Sequence, residues 1–426
     1  MSETRTSDLP TPERPPSALP ESRRAVLPPA RRRALEAAVT WSVIAEPTDP
    51  TARELVAALG PEDALDLARR GTVADAARHL PTRSTAVDPG DRTTRGEPRA
   101  RARSGLERWR RRLDRFDPVD TLTRAAHLGM HVMLPGDPDW PRALLDLGEG
   151  MPHCLWLLGN APLSAVCEEV PTLAIVGSRA STAYGEDCAV SLAAGVAAHG
   201  ATVISGGAYG IDAAAHRGAL AAEDGATIAV LAGGLDALYP RGNTRLLETI
   251  RDRYCLISEA PPGTAPTRWR FLARNRLIAA LGQATVVVEA SWRSGALSTA
   301  RHADDLSRPV GAVPGPVTSA ASAGCHRILR DRGGVLVTDA AEVLELLPGR
   351  TVHLGLDEEQ DRLDLLGPAD RRVLDAVPPR SAITLERLLD ESALPETAVR
   401  AALGRLDLLG HIDRLGDGTR IRRHRG

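Results

Sequence analysis

The sequence predicts an α/β protein with a Rossmann-like, doubly wound, mostly parallel sheet, flanked by an N-terminal helical module and a C-terminal winged helix. In the centre of the chain, short continuous apolar runs alternate with amphipathic helical segments. This pattern is typical of a parallel sheet that is covered by helices on both faces. Near the C-terminus, three short helical segments precede a hairpin signal, which is the element order of a winged helix-turn-helix.

The chain of 426 residues is long enough for several domains, and its composition changes along its length. We predict a disordered proline-rich tail over 1–28, because that segment cannot bury a core. Alanine and leucine at helical spacing predict a helical module with an arginine-rich linker over 29–115, followed by a connecting segment over 116–169. The predicted Rossmann-like core spans 170–347, a polar linker spans 348–364, and the winged helix spans 365–426.

The individual elements follow from the same patterns. Core strands are predicted at Thr172–Val176, Thr202–Ser205, Ala226–Ala232, Cys255–Ser258, Thr285–Val288 and Pro309–Val313. Core helices are predicted at Tyr184–His199, Asn243–Arg253, Arg274–Gly282 and Gly295–Ser307, with a further helix through His216 and Leu220. The winged helix is predicted to contain helices at Asp370–Val377, Leu385–Glu391 and Glu396–Leu409.

Composition excludes several classes of function. The net charge of -2 gives no whole-chain attraction to nucleic acid or to anionic membranes, so any such attraction must be local. The basic side chains are all arginine, which excludes a Schiff-base lysine and a P-loop lysine. The five cysteines are too widely spaced for a zinc site or a disulfide framework. Without a signal peptide or a long apolar run, we expect a cytoplasmic protein that needs no membrane, metal or other cofactor.

The first candidate site is the turn after the first core strand, which contains Gly177, Ser178 and Arg179. A turn that enters a helix presents free backbone N–H groups to an anion, and Arg179 can add a bidentate guanidinium. No G-x-G-x-x-G pattern and no acidic residue for a ribose accompany the turn, so a nicotinamide cofactor is disfavoured. The alternative is a tight turn with an exposed arginine.

The second candidate site is the turn after the next strand. It contains Ser205, Gly206, Gly207, Gly210 and Asp212. Adjacent glycines let the backbone approach an anion closely, and we expect Asp212 to cap the following helix. Turns on consecutive parallel strands converge at the carboxyl edge of the sheet, so the two turns together predict an anion pocket. We interpret the nearby histidine of the helix as a packed residue rather than a catalytic base.

The third candidate site is the nine-residue stretch from Arg268 to Arg276. It combines a tryptophan and one of two phenylalanines with four arginines. The candidate ligand residues are Arg268, Arg270, Phe271, Arg274, Asn275 and Arg276. Arginines for phosphates and rings for bases are what single-stranded nucleic acid requires. The alternative is that the aromatic side chains anchor the segment to the core.

A supporting group follows the strand that ends near Val288. Glu289 can act as a general base, but we prefer a role in capping or in orienting nearby arginines. Ser294 and Gly295 open the next helix. The sequence shows no second acid and no activated nucleophile, so no residue is predicted to be catalytic.

These segments together resemble the DNA-processing protein family DprA/Smf. The resemblance rests on motifs in family order, namely Gly177-Ser178-Arg179, Ser205–Asp212, Gly233-Gly234-Leu235-Asp236, Tyr239-Pro240, Ser258-Glu259, Arg274-Asn275-Arg276, Val286–Ala290, Ser294-Gly295 and Ala312-Val313-Pro314-Gly315. It covers about residues 170 to 340, and the flanking modules match in position only.

The resemblance implies a protein that binds single-stranded DNA, helps to load the RecA recombinase during natural transformation, and works as a homodimer without established catalytic turnover. It assigns the phosphate pocket to Ser178, Arg179, Gly206, Gly207 and Gly210. It assigns the base-stacking ring to Phe271 and its basic neighbour to Arg268 or Arg270. The resemblance gives no account of the arginine-rich segment from Arg92 to Arg115, for which a solvated helix face is favoured over a nucleic-acid patch.

Two other functions compete with this one. Related folds include hydrolases of nucleoside monophosphates, for which Glu289 is the candidate base. The other alternative is a sequence-specific regulator that acts through the winged helix. Its candidate recognition helix mixes acidic and basic residues, so a protein contact or a structural role is favoured.

Overall fold

The computed structural model describes residues 28–82, 97–348, 366–378, 381–415 and 420–423. The chain forms two compact units, residues 1–352 and 353–426, and the division falls inside the predicted polar linker. The predicted tail lies outside the described residues except for Pro28, and so does the linker segment 83–96. No helix among the described residues is long and apolar enough to cross a membrane.

The N-terminal part of the first unit is helical. Its helices are α1 (Pro29–Ile44), α2 (Pro50–Leu59), α3 (Pro61–Arg70), α4 (Val73–Arg78) and α5 (Pro98–Leu113). Proline occupies the first turn of most of them, where a missing N–H costs nothing. The apolar faces pack around Trp41 and Trp109, whose rings meet edge to face with centroids 5.2 Å apart.

Helix α5 begins at Pro98, inside the segment that the sequence predicted as an arginine-rich linker. Its arginines mostly hold the helical module together. Arg101 is buried against Glu54, and Arg110 donates to the carbonyl oxygen of Ala68 at 2.8 Å. Arg112 donates to the carbonyl oxygen of Ile44 at 3.1 Å. The sequence favoured a solvated helix face for this segment, but several arginines of α5 instead bond to other helices of the module.

Helix α6 (Pro118–His127) leads into the sheet. The strands are β1 (His131–Met133), β2 (Leu155–Gly159), β3 (Thr172–Val176), β4 (Thr202–Ser205), β5 (Thr227–Leu231), β6 (Cys255–Ser258), β7 (Ala284–Val287), β8 (Val310–Ala312) and β9 (Val335–Leu336). Within the described residues these form one sheet in the order β1-β2-β6-β5-β4-β3-β7-β8-β9. From β6 to β9 every pairing is parallel, whereas β1 and β2 join antiparallel at one edge.

Helices cover both faces of the sheet, as predicted. They are α7 (Leu163–Cys167), α8 (Ala183–Ala198), α9 (Ile211–Ala221), α10 (Thr244–Arg253), α11 (Arg268–Leu281), α12 (Ala296–Asp305), α13 (Ala323–Asp331) and α14 (Ala340–Glu345). Along β3, Leu173 and Ile175 pack against α8, α9 and α14, while Ala174 and Val176 pack against α11 and α12. This alternation follows from the two-residue period of a strand, and it buries β3 on both sides.

The order of the strands creates a crevice. After β3 the chain adds β4, β5 and β6 on one side and then returns to add β7 on the other. Helices on the two sides of such a switch point leave a gap at the carboxyl ends of the strands, where ligands of this fold class bind. The ends of β3 and β7 are followed by Gly177 and Val288, so both the first turn and Glu289 lie at this edge.

The second unit contains α15 (Pro368–Ala376), β10 (Ile383–Thr384), α16 (Leu385–Ser392), α17 (Glu396–Leu408), β11 (Ile412–Leu415) and β12 (Arg420–Arg423). In its described part the strands pair antiparallel in the order β10-β12-β11. Val373, Leu388 and Leu403 lie in its buried core. This is the predicted order of helices followed by a hairpin, and the winged-helix assignment itself stays a prediction.

Candidate nucleic-acid interface

An open cleft of about 780 Å³ lies at the carboxyl edge of the sheet. Ten of the residues that the sequence predicted line it, and these are Gly177, Ser178, Arg179, Asp212, Arg268, Phe271, Arg274, Asn275, Ser294 and Gly295. The first turn, the start of α9, helix α11 and the start of α12 therefore meet in one place. The other predicted residues, Ser205, Gly206, Gly207, Gly210, Arg270, Arg276 and Glu289, do not line this cleft.

The two predicted turns contact each other directly. The backbone N–H of Ile211 donates to the carbonyl oxygen of Ser178 at 3.1 Å. Gly210 has a φ of 73°, and a Cβ at this position would collide with the same carbonyl oxygen. Only glycine combines this conformation with so close an approach. Gly210 therefore holds the two turns together, and it is also the N-cap of α9. The prediction that Asp212 is this cap was wrong, because Asp212 lies inside the helix.

The Ser-Gly-Gly turn is buried rather than open to the cleft. The hydroxyl of Ser205 donates to the carbonyl oxygen of Ile175 at 2.6 Å, across to the neighbouring strand. A Cβ on Gly206 would collide with the guanidinium of Arg274. The side chain of Asn243 donates to the carbonyl oxygen of Gly207 at 3.0 Å. These residues lie under the cleft. The missing side chain of Gly206 leaves room for the guanidinium of Arg274, rather than for a ligand, to approach the backbone.

Arg179 and Phe271 form the centre of the cleft. The guanidinium carbon of the exposed Arg179 lies 4.0 Å from the centroid of the Phe271 ring, which is a cation–π contact. The ring of Tyr239 lies on another side of Phe271, with centroids 6.1 Å apart. The result is a planar cation on an aromatic ring in the lining of the cleft.

Helix α11 begins at Arg268, with Thr267 as its N-cap. The predicted helix starts at Arg274, so the aromatic residues lie in the first turn of a longer helix. Arg268 is exposed and lines the cleft, and it has no ion-pair partner in the described part of the chain. Arg270 differs, because its guanidinium donates to the Glu46 carboxylate at 3.0 Å and 3.2 Å. The prediction that Arg270 contacts a ligand is therefore disfavoured by its geometry.

Arg274 is a buried cation beneath the cleft. It is 5% exposed and donates to the carbonyl oxygen of Val230 at 2.5 Å. Burial lowers the pKa of Arg274 to about 10, partly offset by the charge of Asp212. Burial also raises the pKa of Asp212, against the opposing effect of Arg274. At both residues, the effect of burial on the pKa is larger than the effect of the opposite charge. We interpret Arg274 and Asp212 as a buried polar pair that supports the cleft from below.

His216 lies deeper in the same support. Its ring is fully buried, and Nδ1 lies 2.7 Å from the hydroxyl of Thr227. Burial, followed by the charges of Arg274 and Arg217, lowers the pKa of His216 to about 3. The imidazole is therefore neutral at physiological pH and does not reach the cleft. The interpretation of His216 as a packed residue is confirmed.

Arg276 belongs to a second buried network. It is 3% exposed and pairs with Glu259 at 2.8 Å, and Arg53 of α2 approaches the same carboxylate at 3.5 Å. Its Nε also donates to the carbonyl oxygen of Gly150 at 2.9 Å. Its donors join α11 to Gly150 and Glu259, and Glu259 in turn contacts Arg53 of the helical module, so this geometry disfavours the prediction that Arg276 contacts a ligand.

Glu289 anchors the start of α8. Its carboxylate accepts from the N–H of Thr182 at 2.9 Å and from the hydroxyl of Thr182 at 2.7 Å. Thr182 is the N-cap of α8, so the capping role preferred for Glu289 holds, whereas no hydrogen bond or ion pair with an arginine is seen within the described ranges. Asn275 similarly donates to the carbonyl oxygen of Gly295 at 3.1 Å and so fixes the start of α12.

Tyr239 and Arg293 also line the cleft and were not among the predicted ligands. Tyr239 appears in the sequence only as part of a family motif, and its exposure and ring contact became apparent in the structure. Arg293 is exposed at the mouth of the cleft, directly before Ser294. An arginine next to a glycine-containing helix start, on the same sheet edge as Arg179, was the signal that could have identified it.

Comparison with known proteins decides the family. A family model described as DNA recombination-mediator protein A matches residues 131–348, just over half of the chain. The chain belongs to this family. The protein called DprA in Mycobacterium tuberculosis is 41% identical over 382 residues, which cover 87% of this chain and 90% of the relative. The protein Smf of Synechocystis is 31% identical over 324 residues, or 69% of this chain and 81% of the relative.

A solved structure of the same family agrees. The crystal structure of DNA processing protein A from Streptococcus pneumoniae matches with a TM-score of 0.54 and 28% identity, covering 74% of this chain and 97% of that one. The resemblance inferred from the sequence motifs is therefore confirmed, as is the α/β fold class. DNA processing is the broad function of the family and of this chain.

Proposed function

We propose that this protein binds single-stranded DNA in the cleft at the carboxyl edge of the sheet. The observation that supports this most is the guanidinium of Arg179 over the Phe271 ring, beside the exposed Arg268. The guanidinium groups can neutralise phosphates, and the stacked planar groups offer a surface for bases. Duplex DNA keeps its bases stacked inside, so an aromatic platform of this kind favours a single strand.

We also propose that the protein acts as a homodimer in the cytoplasm and delivers its single strand to the RecA recombinase during natural transformation. These partners come from the family resemblance. The arginines of α17 do not favour a sequence-specific regulator, because Arg400 pairs with Glu396 at 2.7 Å and Arg405 pairs with Asp370 at 2.6 Å. For the second unit we therefore propose a protein contact or a structural role.

A binding protein is favoured over the hydrolase alternative by the position of Glu289. A general base must have a free lone pair that faces the reacting group. Glu289 is instead 2% exposed and does not line the cleft, both of its carboxylate oxygens accept hydrogen bonds from Thr182, and its side chain packs against Gly185. We therefore propose that the chain has no catalytic turnover of nucleotides. A nucleotide-hydrolysis assay that detects turnover abolished by Glu289→Ala would support the hydrolase instead.

The experiment that tests DNA binding is fluorescence anisotropy with labelled oligo-dT and with a matched duplex, each at a low and a high salt concentration. We expect preference for the single strand and affinity that falls steeply with salt. Phe271→Ala should lower the affinity for oligo-dT by about tenfold, because a base then loses its stacking partner. Val119→Ala, which alters an exposed apolar side chain on α6 away from the cleft, is the matched control.

Two results would overturn the proposal. One is equal affinity of the wild-type protein for the two DNA forms. The other is an unchanged affinity of a folded Phe271→Ala variant for oligo-dT. Stimulation of the ATPase of RecA on single-stranded DNA tests the proposed partner separately. The same Phe271→Ala variant should lose that stimulation if delivery requires the cleft.

A further inference from the structure

A second, smaller cleft of about 210 Å³ lies between α12 and α13. It adjoins the larger cleft, because Arg293, Ser294 and Ser298 line both. A chain that leaves the larger cleft past these residues reaches the smaller one. Of the residues that line it, the sequence analysis singled out only Ser294, so the smaller cleft as a whole was not part of any sequence prediction.

An exposed tryptophan lies at this smaller cleft. The side chain of Trp292 is 55% exposed, whereas Trp41, Trp109, Trp140 and Trp156 are buried. The guanidinium carbon of Arg327 lies 5.2 Å from the centre of the Trp292 ring system. This arrangement repeats that of Arg179 and Phe271, in which a cation also lies over an aromatic ring. Exposure of so large an apolar surface has a cost in water, which a stacked ligand would remove.

The lining of the smaller cleft is basic. It contains four arginines, Arg293, Arg301, Arg327 and Arg332, and no acidic residue. Arg332 pairs with Asp304 at 3.1 Å, and Arg327 lies 4.0 Å from Asp331. Arg293 and Arg301 are exposed and have no carboxylate partner within the described residues. At least two guanidinium groups are therefore available to an anionic ligand.

We propose that the single strand continues from the larger cleft into this smaller one, where a base stacks on Trp292 and phosphates contact Arg293 and Arg301. The proposal rests on the proposed function, since it extends the path of the same ligand. A protein partner is disfavoured because the lining has few apolar residues, Leu297 and Ile328 beside the tryptophan, whereas protein interfaces have apolar centres depleted of charge. Alternating guanidinium groups and a ring match a phosphate backbone with unstacked bases.

The first test uses the fluorescence of Trp292 itself. Among the six tryptophans, all of which the structure describes, only Trp269 and Trp292 are among the exposed large apolar side chains. In a Trp269→Phe protein, Trp292 is therefore the exposed fluorophore that remains. We expect an oligo-dT of about 20 nucleotides to quench it, whereas one of about 6 nucleotides fills only the larger cleft and quenches it little. Quenching that is absent with the longer oligonucleotide contradicts the proposal.

The second test measures affinity in the otherwise wild-type chain. Trp292→Ala should lower the affinity for the longer oligo-dT by about tenfold and leave that for the shorter one unchanged. Arg293→Ala combined with Arg301→Ala should reduce the salt dependence for the longer oligonucleotide by about one phosphate contact for each arginine. Arg330→Ala is the control, because Arg330 is an exposed arginine on the neighbouring helix α13 that does not line the cleft.

The outcomes separate this inference from the proposed function. If Phe271→Ala weakens both oligonucleotides and Trp292→Ala weakens neither, the larger cleft binds DNA and the extension is wrong. In that case the smaller cleft becomes a candidate surface for a protein. If the wild-type protein binds neither oligonucleotide, both proposals fail together.

Discussion

The first turn of helix α11 and the turns that follow it contain similar side chains in opposite environments. Arg268 in the first turn is exposed and lines the cleft, and Phe271 contacts Arg179. Arg274 and Arg276, two turns later, are buried and donate to carbonyl oxygens and to Glu259. The comparison teaches that an arginine-rich motif can identify a helix at the cleft without identifying which of its arginines are exposed there.

The physical reason is the number of donors on a guanidinium. Arginine has five N–H donors, which must be satisfied when the side chain is buried. Protein acceptors that satisfy them leave no donor for a phosphate. Arg276 uses its donors on Gly150, Ala273 and Glu259, whereas Arg268 retains its donors at the surface. Burial thus divides one helix into a part that supports the cleft and a part that faces the ligand.

The strongest test of this division is Arg276→Ala. We expect the free energy of unfolding to fall by about 3–5 kcal/mol, because Glu259 and Arg53 are then left buried with an incomplete network. Urea unfolding followed by circular dichroism measures the change. Arg268→Ala is the matched control and should alter the free energy of unfolding by no more than about 0.5 kcal/mol. Equal stability of the two variants would remove the basis of the comparison.

A second prediction concerns acid. His216, in the buried support, has a pKa lowered from 6.5 to about 3 by burial and by Arg274 and Arg217. The unfolded chain therefore binds this proton more readily, so stability is complete above about pH 6.5 and falls as the pH decreases toward 3. Between about pH 8 and pH 5 the loss for this group is about 2 kcal/mol.

The measurement is urea unfolding of the wild-type protein and of His216→Gln across that range. The glutamine has no proton to gain, so the variant should be less dependent on pH by about the same 2 kcal/mol. The control is His326→Gln. His326 lies outside the buried support, with its Nε2 2.9 Å from the carbonyl oxygen of Gly315. An identical pH dependence of the wild-type protein and His216→Gln would contradict the assignment of a buried neutral imidazole.

A third prediction addresses the exposed part of α11. Arg268→Ala should weaken binding to oligo-dT severalfold and lower the salt slope by about one contact, because one phosphate loses its counter-charge. Anisotropy titrations over a range of salt concentrations provide the slope. A lower affinity with an unchanged slope would show that Arg268 acts through the conformation of the helix rather than through a phosphate.

The smallest expected effect is at Arg270, between the two parts of the helix. Because Arg270 is paired with Glu46, Arg270→Ala should change the affinity for oligo-dT less than Arg268→Ala does.

The partner of Arg270 can be tested in the same way. Although burial raises the pKa of Glu46, Arg112 and Arg270 hold it below its ordinary value, so the pair is charged at neutral pH. Glu46→Gln should release Arg270 and raise the affinity slightly. A reduced affinity in Glu46→Gln would indicate that the pair positions the first turn of α11.

The sequence by itself determined the parallel part of the sheet. Thr172–Val176, Thr202–Ser205 and Cys255–Ser258 are strands with the predicted bounds, because continuous apolar runs between helices can be buried only in this way. It also predicted the sheet edge at which the ligand residues meet. It missed the antiparallel strands β1 and β2 and the two-residue parallel strand β9, and it placed the start of α11 six residues late. Arginines and aromatic residues around the first turn of α11 give no apolar period, so the helix was not apparent there.

Only the tertiary structure decided which arginines are free. The acceptors that occupy the buried ones come from other elements, as Glu259 lies 17 residues from Arg276 and Glu46 lies 224 residues from Arg270. Helical periodicity describes one helix and contains no information about a carboxylate on a distant segment. The exposure of Trp292 beside Arg293 and Arg301 is likewise a property of how α12 and α13 pack. Burial and pairing are properties of the assembled fold, and they determine which charges remain available to DNA.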